Sequence, residues 1–186
     1  MKCPTCNKNS LKPIKIEAGL PGAGCIYCGG VLISLLTYRN WLEHIKNQGG
    51  LQIDSNKANA EVTTEDSKNA LLCPKCTRIM LKYRISSASE NYADLCPYCA
   101  ETWLDSGEWM LLIQLEIHDK LPAIFTEPWQ KQIRKERAAI MYSAKYEEQF
   151  GEDDYKEIKK IREWIYNHPE KEKIMYYLTD KDPYKF

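Results

Sequence analysis

Eight cysteines fall into four Cys-x-x-Cys pairs: Cys3/Cys6, Cys25/Cys28, Cys73/Cys76 and Cys96/Cys99. Two thiolates separated by two residues on a tight turn point at one centre, so each pair is a two-pronged ligand. Two pairs supply the four donors of a tetrahedral zinc site. Eighteen residues separate the first two pairs and nineteen the last two, a spacing that reads as four-cysteine zinc binding. The expectation is two zinc ions per chain, one held by Cys3, Cys6, Cys25 and Cys28 and one by Cys73, Cys76, Cys96 and Cys99. Pro4, Pro74 and Pro97 stiffen three of the turns. Four thiolates leave no position on the metal open to water or substrate, so the expected role is structural and the chain is not expected to be an enzyme. Iron in a rubredoxin-like site takes the same ligands. Cys96-Pro97-Tyr98-Cys99 also has the form of a glutaredoxin-like redox pair, whose thiols are reactive when free. No βαβ pattern surrounds it, and Cys73/Cys76 matches it as a metal partner.

Without a secretory signal, cysteines at this density are expected to bind metal rather than form disulfides, because a reducing cytosol keeps thiols free. The start, Met1-Lys2-Cys3-Pro4, lacks the apolar stretch such a signal needs. No run of about 18 apolar residues is present. The expected setting is therefore cytoplasmic, soluble and away from membranes. The chain has 186 residues with 26 basic and 26 acidic side chains. Two four-thiolate zinc sites shift that zero balance to about −4, so the holo-protein has no general pull toward nucleic acid. Only residues 1–50 are basic, with six Lys/Arg against two acids.

The cysteine pairs form a tandem repeat with an offset of 70 to 71 residues. Small α+β architecture follows: two tandem zinc ribbons of short antiparallel strands, each followed by a helix, and a C-terminal helical hairpin. The expected segments are 1–48 for the first ribbon and helix, 49–70 for a polar and mobile linker, 71–120 for the second ribbon and helix, and 121–186 for the helical region. Alternating residues predict strands over 11–16 and 80–85, with third strands over 31–33 and 102–104. Gly19, Pro21, Gly22 and Gly24 are read as turns. Helical spacing predicts helices over 36–46 and 108–118, then from Thr126-Glu127-Pro128 to Gly151, from Glu152 to Asn167, and a last turn around 174–178.

Cys73-Pro74-Lys75-Cys76, followed by Cys96-Pro97-Tyr98-Cys99-Ala100-Glu101-Thr102-Trp103-Leu104-Asp105-Ser106-Gly107-Glu108, resembles the transcription-factor-IIB-type zinc-finger family. The likeness covers roughly residues 73–110 and rests on the Trp-Leu-Asp-x-Gly-Glu run after the last cysteine. The first copy is a diverged one: its cysteines match and Gly29-Gly30 follow them, but Leu32, Ser34 and Thr37 stand where Trp103, Asp105 and Glu108 stand in the second. The resemblance implies a transcription-related zinc-ribbon protein. A ribbon is a scaffold, however, and its function lies in what decorates it.

Asp105-x-x-Glu108 before Trp109 reads as a helix capping box, with Asp105 accepting from the helix start and Glu108 reaching back. Trp103 is expected to pack over its ribbon. Lys131, Arg134, Lys135 and Arg137 form the dense basic run. With Lys2, Lys8, Lys12 and Lys15 on the first ribbon they are the candidate nucleic-acid contacts, weighed against the simpler reading of a solvated helix face. His44, His118 and His168 suit helix ends and form no triad. Trp164, Tyr166, Tyr176, Tyr177, Tyr184 and Phe186 are more than a short hairpin obviously buries; most are expected to be core, and a surplus left exposed would mark a protein contact. The expected function is thus a zinc-binding, non-enzymatic adaptor or regulator acting through a protein partner, with nucleic-acid binding as the alternative.

Overall fold

The computed structural model describes residues 1–8, 11–17, 19–47, 64 and 66–185. Most of the expected linker, residues 49–63 and 65, lies outside the described residues. The described chain forms two compact units, Met1–Glu136 and Arg137–Phe186.

In the first unit, β1 (Leu11–Lys15), β2 (Pro21–Cys25) and β3 (Val31–Ser34) make an antiparallel meander, and β4 (Leu81–Arg84), β5 (Tyr92–Leu95) and β6 (Glu101–Leu104) make a second one. The two meanders are joined, because β3 pairs antiparallel with β6 to give one six-stranded sheet of order β1-β2-β3-β6-β5-β4. Val31 faces Leu104, Leu32 faces Trp103 and Ile33 faces Thr102. With the repeat offset of 71 residues at these positions, this register is symmetric about the Leu32–Trp103 pair. Each half therefore offers the other the same strand edge, as in a two-fold interface.

Alternation along the strands sorts side chains onto two faces. Ile33, Leu104 and Ala93 belong to one buried cluster with the helices, while Leu32 and Trp103 belong to another with Cys3, Cys25, Cys73 and Cys96. Helix α1 (Leu35–Asn47) buries Leu35, Tyr38, Trp41 and Ile45 at three- and four-residue spacing, and Trp41 meets Trp109 edge-on. The Tyr38 hydroxyl donates to the His118 carbonyl at 2.8 Å, tying α1 to the chain beyond α2 (Glu108–Gln114).

Pro21, Gly22 and Gly24, read as turns, lie in β2. A Cβ at Gly22 or Gly24 would stand 2.6 Å from the side chain of Ile16 or Ile14, so glycine makes room for isoleucines packed across the strand. The second helix stops at Gln114 rather than reaching His118. Glu116 takes φ 55° and the Ile117 N–H bonds the Leu112 carbonyl at 2.9 Å, a Schellman-type ending with glutamate in the usual glycine place.

Helix α3 (Leu121–Ile124) and the start of α4 (Glu127–Phe150) complete the first unit. The Trp129 indole donates to the Ile85 carbonyl at 3.2 Å, and Ile133 is buried. In the second unit the rest of α4 is followed by α5 (Glu152–Asn167) and α6 (Lys171–Thr179). Hydroxyls of Ser143 and Tyr155 bond at 2.9 Å, and Tyr146 stacks with Phe150. No helix among the described residues is long and apolar enough to cross a membrane.

The seam between the half-sheets is tightly fitted. A Cβ at Gly30 would lie 2.2 Å from the Trp103 ring, and that ring is fully buried. Gly30→Ala is therefore expected to lower stability by about 1–3 kcal/mol, the usual cost of overpacking. A thermal melt indistinguishable from wild type would contradict the close approach.

Candidate metal centres

Four turns of the same construction carry the eight cysteines. In each, the first cysteine's carbonyl accepts the N–H four residues on, at 2.8–3.0 Å, and its N–H donates to the carbonyl five residues on, at 2.8–2.9 Å. The residue after the second cysteine has positive φ each time: Asn7 58°, Gly29 73°, Thr77 63° and Ala100 54°. Thr77 and Ala100 are unusual in that region and cost energy there. The closed turn holds them, so it is a rigid claw.

The claws meet in pairs. The sulfurs of Cys3, Cys6, Cys25 and Cys28 lie within 4.8 Å of one another, as do those of Cys73, Cys76, Cys96 and Cys99. All eight expected ligands are thus brought together in the two expected groups of four. Individual separations are 3.4 Å for Cys3–Cys28, 3.6 Å for Cys6–Cys25, 3.4 Å for Cys73–Cys99 and 3.5 Å for Cys76–Cys96. A tetrahedron of thiolates about 2.3 Å from a zinc ion has sulfurs about 3.8 Å apart. A disulfide requires about 2.05 Å. None of the eight cysteines forms a disulfide, and each group has the size of a metal site.

Electrostatics point the same way. Burial pushes the thiols of Cys3, Cys28, Cys73 and Cys99 upward. At Cys96 burial also acts upward but is outweighed by hydrogen bonds from the Cys99 and Tyr98 N–H groups and the neighbouring thiols, which draw it down to about 7. Four adjacent thiolates repel one another strongly, and a divalent cation is what allows all four to ionise together. The donor set and its dimensions therefore fit a metal ion in each group.

Around the second centre lies a network that sequence reasoning only half resolved. Glu108 Oε2 accepts the Asp105 N–H at 2.8 Å, the reach-back half of the expected capping box. The other half is replaced. Asp105 does not cap the helix, whose N-cap is Gly107 at φ 81° with no side-chain bond. Its Oδ1 takes the Trp103 indole N–H at 2.8 Å and the Thr5 hydroxyl at 2.7 Å, and its Oδ2 takes the Ser67 N–H at 2.8 Å. Thr5 and Ser67 are distant in the chain, Trp103 stands two residues before Asp105, and together these donors compete successfully for the carboxylate. Thr5, Ser67, Asn91 and Asp94 had no local motif to mark them. Asp94 is fully buried beside Lys82, at 3.0 Å across the β4–β5 pair, and one of its oxygens has no hydrogen-bond partner among the described residues.

Burial raises Glu108 from 4.5 to about 8; the charges of Asp105 and Asp66 add to this, while the Asp105 N–H and the Asn91 amide act downward. A raised folded value means that the native state holds the proton more tightly than the unfolded chain. The stability this group contributes is complete below about 4.5 and is lost as pH rises through about 8. Glu108→Gln, the isostere of the neutral acid, is expected to flatten the fall in stability between pH 6 and pH 8.5. The slope is the readout, since the Gln amide can accept only one of the two N–H bonds, from Asp105 and Asn91, that Glu108 accepts. Parallel pH profiles from zinc-saturated melts would overturn this assignment.

Other candidates occupy plainer positions. Trp103 is buried over its ribbon as expected. Lys131, Arg134 and Lys135 are exposed on α4, with Arg134 paired to Glu127. His44 lies in the last turn of α1, buried His118 lies past the end of α2, and His168 follows α5. At the tips of the claws, Lys8 sits 4.2 Å over the Tyr27 ring and Arg78 3.6 Å over the Tyr98 ring. These positions are equivalent in the repeat. No family model, no curated protein and no solved structure matches this chain.

Proposed function

We propose that each group of four cysteines holds a structural zinc ion, and that the protein is a non-enzymatic adaptor or regulator built on tandem zinc ribbons and acting through a protein partner. The observation that carries this reading is the pair of closed four-sulfur clusters on rigid claws. All four donors of a tetrahedron come from the protein, which suits a metal that stabilises a fold. The likeness of residues 73–110 to the transcription-factor-IIB-type zinc fingers agrees with the ribbon assignment.

The adaptor role is supported by the second unit. Trp164, Tyr166 and Tyr176 are 58%, 70% and 73% exposed. Tyr142, Tyr146, Phe150, Tyr155 and Ile158 line an open groove of about 440 Å³. Exposed aromatics of this density are what protein interfaces use. The alternative, nucleic-acid binding, is favoured by the Lys8–Tyr27 and Arg78–Tyr98 pairs, since a basic group on an exposed ring is a base-stacking platform.

Salt separates the two. Fluorescence anisotropy with a labelled single-stranded oligonucleotide is expected to show no binding stronger than about 100 μM at 150 mM salt, the non-specific level. Tight binding at 50 mM salt, falling steeply by 200 mM and weakened by Tyr27→Ala with Tyr98→Ala, would move the conclusion to the nucleic-acid reading.

A further inference from the structure

One side chain of the first metal claw belongs to the polar network of the second half. Thr5 lies between Cys3 and Cys6, one residue before the latter. Its hydroxyl donates to Asp105 Oδ1 at 2.7 Å and accepts the Trp103 indole N–H at 3.0 Å, a contact spanning about a hundred residues of chain. Asp105 and Trp103 are 5% and 0% exposed.

The link is reinforced along the seam. Strands β3 and β6, which pair, begin within three residues of the claws ending at Cys28 and Cys99. Gly30 lies under the Trp103 ring, and a Cβ at Gly29 would approach the Ser106 hydroxyl to 2.8 Å. The Leu35 N–H of the first half donates at 2.9 Å to the carbonyl of Ala100, the left-handed residue of the fourth claw. Three of the four claws therefore touch the opposite half directly or through the residue that follows them.

A rigid claw is held in one place when its metal ties it to its partner claw. Without that tie the Cys3–Cys6 turn is free to move, and moving Thr5 leaves the buried Asp105 carboxylate one donor short. The energetic consequence falls on β6, the strand that leaves the second metal centre, and the reverse path runs through the same contacts. We propose that the two metal centres are thermodynamically coupled across the β3–β6 seam, so that filling one raises the metal affinity of the other, with Thr5, Trp103 and Asp105 as the connecting contact. This rests on reading both cysteine groups as metal sites. Linkage requires the factor to be the same in both directions, and roughly ten-fold is a typical size for such coupling.

The test is a cobalt titration of the full chain against a competing chelator, followed by the thiolate-to-cobalt absorption. It uses wild type, Cys3→Ser with Cys6→Ser, Cys73→Ser with Cys76→Ser, and Thr5→Val. Each double variant is expected to bind one ion roughly ten-fold more weakly than the same site in the filled wild type, by the same factor in both. Thr5→Val keeps all eight ligands, and it should bind two ions with the affinity gain at the second step reduced. Should a double variant not fold, wild type and Thr5→Val alone decide the matter from the spacing of their two steps. Independent sites of unchanged affinity, or a Thr5→Val titration identical to wild type, would overturn the coupling while leaving the metal reading intact. Wild type that binds no ion would remove both.

Discussion

Stripping the metal with excess chelator is expected to lower the melting midpoint of the Met1–Glu136 unit by roughly 20 °C or more, and at the extreme to leave it unfolded at room temperature. Magnitudes decide this. A four-ligand structural zinc contributes about 10–16 kcal/mol at neutral pH, and that binding energy is folding energy because the unfolded chain has no preformed site. A domain's whole stability is only about 5–15 kcal/mol. The claw side of the sheet cannot compensate: among the described residues its cluster holds, besides cysteines, the buried Leu32, Leu71, Met80 and Trp103 with partly buried Leu11 and Ala23 against them. The larger cluster on the helix face, with Tyr38, Trp41 and Trp109, can retain helical structure after the claws open. Far-ultraviolet circular dichroism should therefore fall in part, while the near-ultraviolet signal of packed tryptophan falls further. Identical melts with and without chelator would contradict a metal-dependent fold.

Trp103→Ala is expected to cost about 3–5 kcal/mol, the range for removing a large buried aromatic side chain. Three losses coincide at this residue. The ring fills the seam against Gly30, it faces Leu32 across the β3–β6 pair, and its indole N–H supports both Thr5 and Asp105. Trp103→Phe separates them, since it keeps most of the apolar volume and loses the donor. It should cost about 1–3 kcal/mol, the penalty of leaving a buried carboxylate short of a partner. Chemical denaturation at saturating zinc measures both. A smaller loss for Ala than for Phe would show that the ring's packing is not what holds the seam.

The two groups of four cysteines were legible in the sequence because a Cys-x-x-Cys claw is a local device: its spacing fixes where its sulfurs point. Long helices were legible for the same reason, as the periodicity of α4 and α5 and the Pro128 and Pro169 signals belong to neighbouring residues. The second strand of the first meander was not. Pro21-Gly22-Ala23-Gly24 carries turn chemistry, and only Ile14 and Ile16 lying across it show why glycines stand in a strand. Asp105 was misread for a related reason. The local pattern announced a cap, while donors from Thr5, Trp103 and Ser67 claimed the side chain.

The difference in residue type between the two halves has a physical reason in the seam. At a two-fold pair each residue meets its own repeat counterpart, and Leu32 opposite Trp103 leaves room that a second indole would not. The size exchange continues one step out. Gly30 lies under the large ring, whereas its counterpart Glu101 carries a full side chain, 5% exposed and paired to Lys75 at 2.8 Å. Small residues in one half thus stand against large ones in the other where the two halves meet. Pairing of strands some 70 residues apart has no local signature, and neither does a threonine whose partner is about a hundred residues away.

Native mass spectrometry with elemental analysis, on protein purified without added metal, tests the central claim most directly. The account predicts a native mass carrying two zinc ions per chain, both lost on denaturation. One ion or none, or iron with visible colour, would contradict it and return Cys96 and Cys99 to consideration as a redox pair.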